Sequence, residues 1–364
     1  MSTLVTLFLF VKGVASSPVE DLVARAQCAV ALDTLDKLRA IPEVGAMIVS
    51  TANSELAARA SALGAHIEMD LPGEDFHFGR RLASLVAAHR AAVPLYVGGG
   101  SGALMRVEDW QSLARKILGA SDTVVTNNFY SCDFAGWSPG EAIGWIAPPE
   151  LDNDLAYRLG ERGGLEVIPL AKDAASQLDI DTPSDLFTLS FHPAVGANLR
   201  AFLDSVRLDT MRAGRIRSLL ATRTATMLVA GRVSASMALF LERETRCQWR
   251  IYSEERGMRA SGREKRGEAR SLLGHYLDRV GAVDFFATLA RMADGALLDS
   301  RVLFAHRGLR PPAPDRFNSD LLHAEAIQDE FIRSFTAAAR DAPIPVLLGG
   351  HSLVSGGMYA LAEQ

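Results

Sequence analysis

The chain has 364 residues, 48% of them apolar and 22% charged, with a formal net charge of −5 and a pI of about 5.9. That length exceeds one hydrophobic core and suits two domains, while the mild acidity removes the general attraction that a nucleic-acid-binding surface requires. Three widely spaced cysteines, Cys28, Cys132 and Cys247, with no CxxC pair, argue against a disulfide framework or a thiolate zinc site and fit a reducing cytoplasm.

The apolar opening, Leu4–Val11, lacks the basic flank and small-residue cleavage pattern of a signal peptide, and is expected to be a buried first strand. No apolar run approaches the length that crosses a bilayer, so no membrane is expected as a partner. An amphipathic helix follows over Ser17–Leu38, with Pro18 at its start. Apolar period and turn residues then predict, in order, strand Ala46–Ser50, helix Ser54–Leu63, strand His66–Met69, helix Phe78–Arg90 and strand Pro94–Val97. Helix Val107–Leu118, strand Thr123–Asn127, helix Leu155–Gly160 and strand Leu165–Leu170 complete the series. This alternation predicts an α/β domain over residues 1–205, a mostly parallel sheet flanked by helices, with its site at the carboxyl ends of the strands. From about Ala201 the chain turns rich in Ala, Leu, Arg and Met. Apolar residues fall at helical spacing over Phe202–Leu220, Met227–Glu242, Ala269–Val280, Val283–Met292, Leu297–Ala305 and Ser319–Ala339, with Pro311–Pro314 as a stiff break. A second, mainly helical domain over residues 206–364 is expected.

Several loops at the predicted strand ends carry chemistry. Lys12 leaves the first strand and can touch a phosphate, or stand as a solvated lysine. Gly98-Gly99-Gly100-Ser101-Gly102 follows the strand Pro94–Val97, and glycines there let backbone N–H groups approach a phosphate or sugar. Asn127, Asn128 and Asp133 cluster short hydrogen-bonding side chains that suit a base edge, a ribose or a metal-bound water, and equally suit a turn. Asp152 or Asn153 is a natural cap for the helix that follows, or a polar residue placed to face a small-molecule substrate. His77, Arg80 and Arg81 open a helix and can meet phosphate. The charged run from Ser253 to Arg270 reads as a solvated face. Gly349–Gly357, two glycine pairs around His351, Ser352 and Ser355, reads as a ligand loop or an irregular packing turn.

The most informative segment is Gln177-Leu178-Asp179-Ile180-Asp181-Thr182-Pro183-Ser184-Asp185-Leu186. Two acids alternate with apolar residues, so Asp179 and Asp181 point the same way from an extended backbone. Thr182 can cap the next turn, Pro183 suits the first helical position and Asp185 suits the helix start. A pair of carboxylates on a strand edge can hold a divalent cation and the phosphates it bridges; a capped junction with solvated acids is the plain alternative.

Asp-x-Asp-Thr-Pro-x-Asp-Leu at the end of an α/β unit resembles the closing motif of nucleotidyltransferases with a GT-A-type fold. It is most similar to the 2-phospholactate guanylyltransferase and MobA-like branch. The resemblance covers residues 1–205 and implies transfer of an NMP group from an NTP to a small phosphorylated or carboxylated acceptor, with release of pyrophosphate. It implies Mg²⁺ on Asp179 and Asp181, and Lys12, Gly98, Gly99, Gly100, Ser101, Asn127, Asn128 and Asp133 around the nucleotide. The helical domain would close over the acceptor or form a contact between copies of the chain. Two departures stand out. The family places an Asp where Gly100 and Ser101 stand, and its first loop carries an Arg and a Lys where this chain has Lys12 as the sole cation. They leave an alternative from another class, a non-catalytic nucleotide- or sugar-phosphate-binding protein with a degenerate metal site.

Overall fold

The computed structural model describes residues 3–12, 15–70 and 76–363; Gly13, Val14 and the stretch Gly73–Asp75 of the loop before His77 lie outside the described residues. The chain divides into two compact units that follow no single cut: residues 1–15, 24–179 and 194–202 form one, and residues 16–23, 180–193 and 203–364 the other.

The first unit is built on seven strands: β1 (Val5–Val11), β2 (Val44–Thr51), β3 (His66–Met69), β4 (Pro94–Gly98), β5 (Thr123–Thr126), β6 (Phe134–Ser138) and β7 (Glu166–Pro169). Their order across the sheet is β3-β2-β1-β4-β6-β5-β7; β6 runs antiparallel to β4 and β5, and the other pairs are parallel. Period-two alternation sorts β1 between two cores. Leu7, Leu9 and Val11 pack with Leu32, Leu35, Trp110 and Ile117, while Phe8 and Phe10 pack with Phe78, Leu82, Tyr96, Trp137 and Leu155. Helices therefore cover both faces, as parallel crossovers require. Their ends are closed locally: the Asn53 side chain accepts from Leu56 N at 2.9 Å at the start of the helix Ser54–Ala62. The expected α/β architecture is what the chain forms. The antiparallel β6, directly after the Asn127–Asp133 loop, was not foreseen.

The second unit contains a four-stranded, fully parallel sheet in the order β11-β10-β8-β9, with β8 at Thr226–Gly231, β9 at Gln248–Ser253, β10 at Gly295–Asp299 and β11 at Val346–Gly349. Helices predominate around it, yet two of the helical spans expected from apolar spacing are each a strand followed by a helix. Met227–Glu242 divides into β8 and the helix Ala235–Glu244, and Leu297–Ala305 into β10 and the helix Ser300–His306. A parallel strand buried on both faces is a continuous apolar run, which spacing does not separate from a buried helix. Ser319–Ala339 is likewise interrupted, falling in the helices Ala313–Asp320 and Glu330–Arg340. Gly281, at φ 78°, breaks Leu272–Met292 into the two helices that were expected there.

Candidate functional site

β4 ends at Gly98, and Ser101 N closes a turn back to Gly98 O at 3.0 Å. Ser101, 2% exposed, pairs as an isolated antiparallel bridge with Asp179, and its hydroxyl lies 3.1 Å from Asp179 Oδ1 and 3.3 Å from the Asp133 carbonyl oxygen. Asn127, just past β5, donates from Nδ2 to Asp133 Oδ2 at 2.7 Å and to Ser176 O at 3.0 Å. Its Oδ1 accepts from Asp133 N at 3.0 Å. Gln177 Nε2 donates to Asn127 O at 3.0 Å. The glycine loop, the Asn127–Asp133 loop and Asp179, three separate stretches of sequence, thus meet in one hydrogen-bonded network at one end of the sheet. A network of this kind holds its members in single rotamers, because each lost partner in a partly buried place costs about 1–3 kcal/mol.

Packing accounts for part of the glycine run. A Cβ on Gly102, at φ 74°, would lie 2.4 Å from Trp110 Cζ2, and one on Gly99 would lie 3.1 Å from the Phe10 carbonyl oxygen and the Val11 side chain. Gly99, Gly100, Ser101 and Gly102 are all buried. Lys12 is exposed just beyond the end of β1. Asn128 Oδ1 accepts from Tyr130 N at 3.2 Å, a local turn bond. The His77 ring accepts from Arg80 N at the start of the helix Phe78–Ala88, and Arg81 pairs with Asp70 at 3.4 Å and Glu68 at 3.7 Å, so part of its charge is already matched.

Tyr96 escaped the sequence reading, and Asp152 takes a different local role from the cap expected of it. Tyr96 OH donates to Asp152 Oδ2 at 2.8 Å, and burial, reinforced by the Asp152 carboxylate, holds the phenol well above its usual pKa. Asp152 was read as a helix cap; its carboxylate instead meets Tyr96 and Asn153 N, while its backbone carbonyl accepts from the Cys132 thiol at 3.1 Å. Burial raises that thiol far above its usual range, which removes Cys132 as a nucleophile. The period-two place of Tyr96 on β4 was the available signal, but nothing in sequence linked it to a residue more than fifty positions away.

Asp179 is the last residue of its stretch of the first unit, whereas Asp181 to Pro193 belong to the second. There Asp181 is exposed, and Thr182 and Pro183 open the helix Pro183–Leu189 as expected. Asp185 does more than favour a helix start. It is fully buried, and its Oδ2 accepts from Thr182 N at 2.8 Å, Asp181 N at 3.0 Å and Thr182 Oγ1 at 3.0 Å. Burial first, then the Asp181 charge, pushes Asp185 up to about 7. The glycine-rich loop after β11 seats on this helix start: a Cβ on Gly349 would lie 2.6 Å from Ser184 Oγ, and one on Gly350 would lie 3.3 Å from Thr182 Cγ2.

Among the described residues no three His, Cys, Asp or Glu side chains converge as a closed metal cage. The Asp179 carboxylate accepts from the Ser101 hydroxyl.

No family model matches the chain, and no curated protein matches it. Solved structures resemble part of it. A CMP:2-keto-3-deoxy-manno-octonic acid synthetase complexed with CTP aligns at 12% identity and a TM-score of 0.38 over 51% of this chain and 97% of its own. A cytidylyltransferase from Leptospira borgpetersenii aligns at 13% identity and a TM-score of 0.39 over 51% and 85%. A diphosphocytidyl-methylerythritol synthase from Anaerococcus prevotii aligns at 11% identity and a TM-score of 0.35, over 51% of this chain and 95% of its own.

Proposed function

We propose that the chain is a nucleotidyltransferase that moves an NMP group from an NTP to a small phosphorylated or carboxylated acceptor and releases pyrophosphate. The observation that carries this reading is the bridge between Ser101 and Asp179. It ties the acid of the Asp-x-Asp-Thr-Pro motif to the glycine loop at the carboxyl ends of the strands, beside Asn127 and Asp133. Parallel α/β sheets bind their ligands at that end. In this reading Mg²⁺ takes the Asp179 carboxylate of the motif and offsets charge on the α-phosphate and the leaving group. Asn127 and Asp133 hold the base or ribose. Gly98, Gly99, Gly100 and Lys12 serve the phosphates, with Asn128 at the rim of the same loop.

Asp179→Asn keeps shape and removes one charge. Calorimetric NTP affinity in Mg²⁺ is expected to fall roughly 10–100-fold, the value of a lost hydrogen bond or ligand contact to a charged group. Equal affinity of parent and variant overturns the metal role. Coupled detection of pyrophosphate with each NTP decides between the two functional classes: saturable NTP binding with no pyrophosphate release across acceptors selects the non-catalytic binding protein, which Ser101 in place of the family's Asp favours.

Ser101→Asp tests the same departure in reverse. A second carboxylate packed beside Asp179 is expected to lower the melting temperature by several degrees without metal, because like charges in a buried place repel. Millimolar Mg²⁺ should recover that loss in the variant and leave the parent almost unmoved. A variant that melts lower with and without Mg²⁺ alike would show that the two positions do not share a cation.

A further inference from the structure

In the second unit the chain runs from β8 outward to β9 on one side, and its later strands, β10 and β11, lie on the other. β8 and β10 are therefore the neighbours at which the strand order reverses, where an open parallel sheet leaves a crevice beyond its carboxyl ends. What the chain puts at that point is unusual. Arg232 follows β8 directly, and Asp299 closes β10. The guanidinium Nε donates to Asp299 Oδ2 at 2.5 Å and Nη2 to Asp299 Oδ1 at 3.1 Å, with the arginine side chain 10% exposed and the aspartate 0%. Two residues on, Arg301 is clamped by Asp320 through Nη1 and Nη2 instead.

Buried ion pairs of this kind are seldom more stabilising than apolar residues of the same volume. What they add is orientation: a carboxylate behind the guanidinium fixes the plane in which its remaining N–H groups point. Among the described residues Arg232 Nη1 has no hydrogen-bond acceptor, and it is not fully enclosed, although the side chain as a whole is only 10% exposed. His351, on the loop after β11, is exposed as a residue, yet burial of its ring first, and then the Arg232 charge, push the imidazole down to about 4, so it is neutral at pH 7; Asp299 and Asp181 lie within its electrostatic reach. Gly350 beside it brings the backbone close, since a Cβ there would lie 3.9 Å from Arg301 Nε. Burial raises the Asp299 carboxyl, but the Arg232 guanidinium outweighs this and holds it below the usual range, so the clamp is charged at neutral pH.

We propose that the crevice at the ends of β8, β10 and β11 is a second ligand site, which takes the oxyanion of a small molecule, a carboxylate or a phosphate, on Arg232 and His351. The arginine supplies the fixed fork edge, the imidazole a second hydrogen bond, and the glycine loop the space for the anion.

The test is calorimetric titration of the full chain, in magnesium-free buffer at fixed ionic strength, with inorganic phosphate, with acetate and with chloride. Saturable binding of phosphate or of acetate, and no heat from chloride beyond dilution, is expected; which of the two binds tells the source of the oxyanion. His351→Gln, at an exposed position, should fold as the parent does and weaken that binding about tenfold, the scale of one hydrogen bond to a charged group. Arg232→Lys keeps the charge and loses the fork, and should weaken it at least as much. Should Arg232→Lys fail to fold, His351→Gln decides alone. No binding above the chloride control, or unchanged affinity in His351→Gln, overturns the proposal.

Discussion

Asp320→Ala is expected to lower the unfolding free energy of the second unit by about 3–5 kcal/mol, the cost of leaving a buried charge without its partner. Arg301 and Asp320 are 5% and 0% exposed as side chains, and two parallel bonds join them, Nη1 to Oδ1 at 2.7 Å and Nη2 to Oδ2 at 2.6 Å. Removing the acid leaves a guanidinium that cannot shed its charge. Burial raises Asp320 to about 6 even beside that guanidinium, so denaturant unfolding at pH 8 meets the pair in its ionised form. Arg301→Met combined with Asp320→Leu takes away both charges and fills the space with apolar atoms, and is expected to recover most of the loss. A single-variant loss below about 1 kcal/mol would show that water reaches the pair and screens it.

The second large effect is a pH dependence centred on Asp185. Its folded pKa of about 7 lies above the ordinary 3.8, because burial disfavours the carboxylate and the Asp181 charge adds to that. The sign follows from linkage. Below about pH 4 the group is protonated in both states and costs nothing. Between 4 and 7 the unfolded chain releases the proton while the folded chain keeps it, so stability falls as pH rises and levels off above 7. The full swing is on the order of 4 kcal/mol. Asp185→Asn cannot ionise, and its oxygen can still accept from Thr182 N and Asp181 N. The difference in unfolding free energy between variant and parent should therefore move in the variant's favour from pH 4 to pH 8. The matched comparison cancels contributions from other groups that titrate in that window, Asp320 among them. A difference that stays flat across the range would mean that Asp185 is ionised in the fold, held by the donors around it.

Much of the first unit could be read from the chain because its information is local. Alternating apolar residues in Val5–Val11, the capping Asn53 and the Thr182-Pro183 helix start act over a few positions, and backbone geometry turns each into an element wherever it occurs. The same holds for the unusual loops, since glycine and short polar side chains mark strand ends in any α/β sheet. Locality failed where an element is defined by what covers it. Met227–Val229 and Leu297–Leu298 are strands because partners lie on both sides of them in the sheet, and their apolar runs carry no period that says so. The sites themselves were decided by the tertiary structure. The bonds of Ser101 to Asp179, Tyr96 to Asp152 and Arg232 to Asp299 join positions between 56 and 78 residues apart. Composition and spacing specify which groups a chain has to offer; only the folding of the sheet, by fixing which strand ends are neighbours, sets which of those groups meet.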